Sequence, residues 1–421
     1  MTWVCSRRVD QARVELQTLI REHHGWVLAR LVRQLHDLEL AQDALSRAIE
    51  AALVQWPEGG VPEAPRAWLV RTARNKAIDE IRRRALWARK SDEVALLEGL
   101  EGPTTDEFDD VPIRDDMLRL LFTCCHPALA EDSRVALTLQ VVTGLQADEI
   151  ARAFLVPTAT MAQRLVRAKR KIRDAGVPYR VPDTAELGDR IDGVRAVVYL
   201  LFNEGYSATQ GDAVVRHELC RHAIALGESL LEIFSDDGEC AGLLALMLLH
   251  ESRHGARQDA AGELVLLADQ DRGQWDRAQI ERGTALVTAA LRRGVPGPYA
   301  LQAAIAAVHA NAPQADQTDW VQLAGLYDRL LALVPTPVVA LNRAVALAFA
   351  RGPEVGLREI EALGESLAEY FLFHSARADL LRRCGRVDEA VVAYHRALEL
   401  CRNLAEQRFL RRRIAELSAR A

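Results

Sequence analysis

Apolar residues in this chain recur at three- and four-residue spacing over nearly its whole length, and no run alternates long enough for a half-buried strand. With alanine, leucine and arginine dominant and aromatics at only 5% of residues, that periodicity predicts an all-α protein. A chain of 421 residues has room for about two to four domains, each with its own core. The longest apolar run, Ala241–Leu249, is too short to span a bilayer. Met1–Asp10 is polar and charged, which predicts no secretory leader. Seven cysteines with no Cys-x-x-Cys pair argue against a disulfide framework and for a reducing cytoplasm.

The overall net charge of −6 conceals an uneven distribution. Residues 1–91 carry +5, residues 92–118 carry −9, residues 119–180 carry +5 and residues 181–421 carry −7. Two basic modules are thus separated by an acidic stretch and followed by an acidic carboxy-terminal half. The whole-chain charge argues against a polyanionic partner, but the segment charges argue for one.

The second basic module contains ADEIARAFLVPTATMAQRLVRAKRKIR, Ala147 to Arg173. Ile150, Ala151 and Phe154 form an apolar stripe on a first short helix. Pro157 lacks an N–H and disfavours helix at Val156, so a break is expected there. Thr158 stands where an N-cap is needed, and Met161, Leu165 and Ala168 give a second helix its buried face. Gln163, Arg164, Arg167, Lys169, Arg170 and Lys171 then point away from the core. A short helix, a turn and a helix bearing amide and guanidinium groups outward form a helix-turn-helix suited to a DNA major groove. The alternative is a helical hairpin with a solvated basic face.

The first module holds a comparable helix, Ala67 to Arg84. Leu69, Ala73, Ala77 (or Ile78) and Ile81 form its buried stripe, while Arg71, Arg74, Asn75, Lys76 and Arg82–Arg84 gather outside. Cations beside Trp68 suit a surface that tracks a nucleic-acid backbone and stacks bases; otherwise Trp68 belongs to the core. Trp56-Pro57-Glu58-Gly59-Gly60 and Pro62–Pro65 predict breaks. The expected organisation is a helical domain over 1–91, an acidic linker over 92–116, a helix-turn-helix domain over 117–178 and a helical region over 179–421. The linker reads either as a solvated tether or as an internal competitor for the basic helices.

Within the last region a period of 34 residues appears. Arg343, Ala344, Leu347, Gly356 and Ile360 recur as Arg377, Ala378, Leu381, Ala390 and Tyr394. Gly385, Ala390, Tyr394 and Ala397 stand where tetratricopeptide repeats place small and aromatic packing residues, so a hairpin stack near 337–402 is expected. Its expected use is to bind a partner protein or another part of this chain.

The run Trp68-Leu69-x-Arg71-x-Ala73-x-Asn75-x-x-x-Asp79-x-x-Arg82-Arg83 resembles region 2 of bacterial RNA polymerase sigma factors of the extracytoplasmic-function group. Asp43–Ile49 followed by Trp56 is similar to the region 2 helix that docks on the polymerase clamp, with Ser46 and Ile49 replacing the usual glutamine and phenylalanine. Glu149-Ile150-Ala151, Val156-Pro157 and Thr160-Met161-x-x-Arg164-Leu165-x-Arg167-Ala168 resemble region 4, which reads the −35 element. Leu155 stands where that turn usually has glycine. The resemblance implies core RNA polymerase and promoter DNA as partners. It places Thr158, Thr160, Gln163, Arg164, Arg167, Lys169, Arg170 and Lys171 at the −35 element. It places Arg71, Arg74, Asn75, Asp79, Arg82 and Arg83 at the −10 element, and Asp37, Glu39, Asp43, Ser46 and Ile49 against polymerase. Leu201–Tyr206, Leu243–His250, Gln270–Arg272, Gly297–Tyr299 and Leu341–Ala344 look like the tetratricopeptide-like extension fused to one subgroup, which implies control by that extension. A sigma factor is not an enzyme, and no cofactor, metal or membrane contact is expected.

Two motifs point elsewhere. His250-Glu251-Ser252-Arg253-His254 spells the zinc-protease HExxH, which needs both histidines on one helical face. No third ligand follows, since Arg257 and Ala260 stand at the positions that continue the longer motif. Cys124-Cys125-His126 is a poor zinc set, and packing is expected there. A one-component helix-turn-helix regulator with a repeat-type sensor is the remaining alternative; it would have no use for residues 11–90.

Overall fold

The computed structural model describes residues 16, 19–20, 23–88, 113–154, 156–177, 179–180, 184–207, 213–257, 259, 265–401 and 404–418. Among the described residues every regular element is a helix and none is a strand, as the periodicity predicts. The chain divides into two compact units, Met1–Leu201 and Phe202–Ala421.

The first unit begins with helix α1 (residues 23–35), α2 (Leu38–Gly59) and α3 (Pro65–Ala88). Asp37 caps α2, its carboxylate accepting the Leu40 N–H at 3.0 Å. The break expected over Trp56–Gly60 falls at its glycines: α2 runs through Pro57 to Gly59 and closes where Gly60, at φ 83°, donates its N–H to the Trp56 carbonyl. In a last turn, proline removes only one helical hydrogen bond, and the helix tolerates it. Ala41, Ala44, Ala48 and Ala52 of α2 lie buried, as do Leu69, Ala73, Ala77 and Ile81 of α3. Trp56, 3% exposed, meets Trp68 edge-on at 5.4 Å.

The second part of this unit comprises α4 (Ile113–Cys124), α5 (Glu131–Thr143), α6 (Ala147–Ala153), α7 (Thr158–Asp174) and the start of α8 (Thr184–Ser207). Helix α5 stops at Gly144, whose φ of 74° favours glycine. The expected linker, 92–116, overlaps α4, and its last residue is a core ion pair. Asp116, 3% exposed, accepts from Arg30 at 3.3 Å and Arg33 at 3.5 Å. Arg190 of α8 donates to the Phe122 carbonyl at 2.6 Å, so packing carries the first unit beyond residue 178.

In the second unit the run expected to be too short for a bilayer forms the centre of α10 (Gly238–Glu251). Cys240 to Leu249 are all buried there, packed by α9 (Ala213–Ile233), α11 (Arg277–Arg292) and α12 (Pro298–Asn311). A Cβ on Gly242 would lie 2.5 Å from the Ala300 nitrogen, so glycine sets this helix crossing. Glu239 caps α12 by accepting from the N–H groups of Tyr299 (2.9 Å) and Ala300 (3.0 Å). No described helix is long and apolar enough to cross a membrane.

From there the chain continues through α13 (Trp320–Leu333), the hairpin α14 (Pro337–Arg351) and α15 (Pro353–Glu361), the hairpin α16 (Phe371–Arg383) and α17 (Val387–Leu400), and α18 (Leu404–Ser418). The 34-residue period coincides with the two hairpins. Ala344, Leu347, Gly356 and Ile360 are buried in the first, and Ala378, Leu381, Ala390 and Tyr394 in the second.

A Cβ at Gly356 would fall 2.3 Å from the Ala348 Cβ. Gly356→Val is therefore expected to lower the stability of the second unit by about 1–3 kcal/mol, measured as a shifted urea midpoint. Burial holds His222 and His309 near pKa 4 and His250 near 3. The folded histidines stay neutral while the unfolded chain binds protons below about 6.5. Stability is therefore full above pH 6.5 and falls toward pH 4, by about 1.4 kcal/mol per pH unit for each histidine. Denaturation at pH 7 and pH 5 tests this; equal midpoints would contradict it.

Candidate nucleic-acid and polymerase interface

Helix α7 is built as the spacing predicts. Met161, Leu165, Ala168 and Ile172 are buried, and Thr158, Thr160, Gln163, Arg167, Arg170 and Lys171 are exposed. Thr158, however, does not cap the helix. Pro157 holds the N-cap position with φ −59° and ψ 140°, and its carbonyl accepts the Met161 N–H at 3.1 Å. Thr158 becomes the first helical residue. Ile150 and Ala151 of α6 are buried and Phe154 partly so; Leu155 lies outside the described residues.

The cations of α7 divide into two sets. Gln163 and Arg167 share an outer face, with the Arg167 Nε donating to the Gln163 carbonyl at 3.3 Å. Arg170 pairs with Asp174 at 3.3 Å. Arg164 instead lies across α7 toward α5, its Nη1 3.4 Å from the Asp132 carboxylate. Arg173 turns toward α2. Arg173 pairs with Glu39, and Lys169 is half-buried. Burial lowers the Lys169 pKa, opposed by Glu39, Asp43 and Cys124 in that order. Sequence spacing groups Lys169 with the outward cations; the fold leaves it half-buried. Arg173 was not among the expected contact residues, because only the fold shows what stands opposite the helix end.

On α3, Arg71, Asn75, Asp79, Arg82 and Arg83 are exposed and Arg74 partly buried. Arg71, Asn75 and Asp79 share one face at four-residue spacing. Arg83 also pairs with Glu80, which is 9% exposed and accepts from Arg47 of α2 at 3.0 Å. Trp68 is half-buried against Trp56, between the two readings its position allowed. The expected polymerase contacts lie on α2 or at its start. Asp43 and Ser46 are exposed, Glu39 and Ile49 partly buried, and Asp37 is engaged as the cap.

The HExxH spelling loses the helical continuity its chemistry requires. Helix α10 ends at Glu251, and His254 begins a separate 3₁₀ turn. His250 is taken up by Arg253, 3.1 Å from its Nδ1, and by the Tyr206 ring at 5.1 Å. No group of three metal-ligating side chains occurs among the described residues. Cys124 and Cys125 are buried, Cys125 Sγ lying 3.7 Å from Thr138 Oγ1, and burial pushes the Cys125 thiol up to about 11.

Comparison with known proteins gives this geometry a context. Residues 19–86 match Sigma-70 region 2, and residues 119–172 match Sigma-70, region 4. The RNA polymerase sigma-H factor of Pseudomonas aeruginosa is 30% identical over 176 residues, spanning 41% of this chain and 90% of that protein. The chain belongs to the RNA polymerase sigma factors. An uncharacterized protein of Rhizobium meliloti is 44% identical over 394 residues, 93% of each chain. Residues 190–291 match a family of unknown function, DUF6596. No solved structure matches the chain.

Within this sigma factor, Glu80 neutralises the packed flank of the candidate −10 helix. Glu80→Gln is expected to lower the stability of the first unit by about 1 kcal/mol, read from its urea midpoint. An unchanged midpoint would make the Arg47–Glu80–Arg83 cluster energetically silent.

Proposed function

We propose that this protein binds core RNA polymerase and directs initiation at promoters of its own, as a sigma factor of the extracytoplasmic-function group. One observation carries the reading: two modules matching sigma regions 2 and 4, in that order, each present an exposed helix face of amide and guanidinium groups. In this reading α7 enters the −35 major groove. Gln163 meets adenine and Arg167 guanine, while Arg170 and Lys171 hold phosphates and set register. Thr158 and Thr160 face the same groove from the first turn. Arg164, tied to Asp132, orients α7 and reaches a base only by leaving that partner.

Helix α3 faces the −10 element through Arg71, Arg74, Asn75, Asp79, Arg82 and Arg83, a polar surface able to hold an unstacked strand. Asp37, Glu39, Asp43, Ser46 and Ile49 form the polymerase-facing stripe. Residues 1–91 act as region 2 and 117–178, joined by α4 from Ile113, as region 4, with the acidic connection between them, and the remainder acts as a tetratricopeptide-like extension that controls the protein from within the cytoplasm. The protein makes no bond of its own.

Run-off transcription with purified core enzyme tests the reading. Wild-type protein is expected to initiate only with core present. Gln163→Ala is expected to lose roughly 1–3 kcal/mol of discrimination at one −35 position, and Arg71→Ala to impair strand opening with little change at −35. Tight, specific DNA binding without core, and no initiation with it, would identify a one-component regulator instead.

A further inference from the structure

The second unit draws Arg253, Arg257 and Arg272 together against carbonyls, aromatic rings and a histidine, and among the described residues none of the three pairs with a carboxylate. Helix α10 ends at Glu251, and a 3₁₀ turn at His254–Ala256 packs against a second one at Arg272–Gln274. The Asp276 N–H donates to the Ser252 carbonyl at 2.7 Å, which ties the two turns side by side. Arg257 lays its guanidinium over the Tyr206 ring at 3.8 Å and donates to the Tyr206 carbonyl. Arg253 lies 6.0 Å from the same ring and 3.1 Å from His250 Nδ1. Arg272 stacks on Trp275 at 4.4 Å and donates to the carbonyls of His309 (2.7 Å) and Ala312 (2.8 Å) at the end of α12.

The acids nearby have other surroundings. Glu251 follows His250 in sequence, but its carboxylate lies against Cys220 and His254. Asp271 accepts from the Gly273 N–H and the Gln274 amide. Glu406 of α18 is attracted by Arg257, yet burial raises its pKa against that attraction. Burial lowers the Arg253 pKa, and Arg257 adds repulsion against the favourable Tyr206 contact. Burial lowers the Arg272 pKa too, with Arg277 and Arg253 adding to it. Like charges gathered in a half-buried place repel unless an anion joins them. Arg253, Arg257 and Arg272 are each partly exposed, so an ion from solution can reach them.

We propose that Arg253, Arg257 and Arg272 form a binding site for a small phosphate-bearing ligand. A guanidinium carries five N–H donors in one plane, and the bonds named above use at most two on each, so donors remain on all three. Stacking on Tyr206 and Trp275 fixes two of the planes in advance, which limits the side-chain freedom lost on binding. One carboxylate is matched by one guanidinium fork, whereas three guanidiniums suit the several terminal oxygens and the double charge of a phosphate ester. The net charge of −7 over residues 181–421 repels a long polyanion along its length. Beyond about 8–10 Å it is screened from a small anion, which favours a diffusible ligand over a nucleic-acid strand. His250, which the protease-like spelling singles out, serves here to hold Arg253. The site concerns the second unit alone and stands whether or not the first unit works as a sigma factor.

Hydrogen exchange of the full chain, titrated with inorganic pyrophosphate and compared with sodium chloride at the same ionic strength, tests the proposal. Pyrophosphate is expected to slow exchange in peptides covering residues 250–257, 272–276 and 309–312, and chloride is not. The titration gives the affinity at this place, separately from any binding by the basic helices of the first unit. Arg253→Gln and Arg272→Gln are each expected to weaken it by about tenfold or more. Arg329→Gln, which alters an exposed arginine of α13, is expected to leave it unchanged. Should a glutamine variant fail to fold, Arg253→Lys keeps the charge and loses the fork, and it is expected to bind pyrophosphate more weakly than wild type. Equal protection by chloride, protection by pyrophosphate confined to α3 and α7, or wild-type affinity in the arginine variants would overturn the inference. Stronger protection of the same peptides by a single-stranded oligonucleotide would overturn it as well, by making the occupant a nucleic acid.

Discussion

A carboxylate buried as deeply as Asp116 persists only where cations and hydrogen-bond donors meet it, because an unpaired charge in that position costs several kcal/mol. Its partners, Arg30 and Arg33, come from the other module of the first unit. One ion cluster therefore ties α4 to α1, and everything mounted on those helices follows. Tyr179 reaches the same spot from beyond α7, which anchors the outgoing chain. With α1 and α4 in place, Arg173 near the end of α7 pairs with Glu39 of α2.

The second unit depends on a different constraint, the close approach of helices at small residues. Gly242 lets α10 touch the start of α12, and Gly356 lets α15 touch α14. Larger residues there would separate the layers and open voids that no neighbouring side chain fills. The apolar run in α10 is continuous because neighbours cover it on several sides, not because it meets lipid. The same crowding leaves His250 neutral and engaged with Arg253, which turns a protease-like spelling into packing.

Much of the candidate site was legible in the sequence because it follows from helical period alone. Met161, Leu165 and Ala168 face inward and Gln163, Arg167 and Lys171 outward, as a 3.6-residue repeat requires. The same rule placed Leu69, Ala73, Ala77 and Ile81 in the core of α3. The expectation at the helix start failed where local signals compete: Pro157 holds the cap position in place of Thr158. Asp116 reads as one more linker carboxylate because its partners lie more than 80 residues upstream.

By itself the sequence determined the all-α class, the inward and outward faces of each helix, the order of two basic modules and the repeated hairpins near the end. These are local properties, set by spacing within one or two turns and by composition. Only the tertiary structure decided which outward charges remain available. Arg167 and Lys171 stay exposed, whereas Arg164 pairs with Asp132, Arg173 with Glu39, and Lys169 is half-buried. The reason is physical: a charge's environment depends on what lies opposite it in space, and neither helical period nor net charge per segment carries that information.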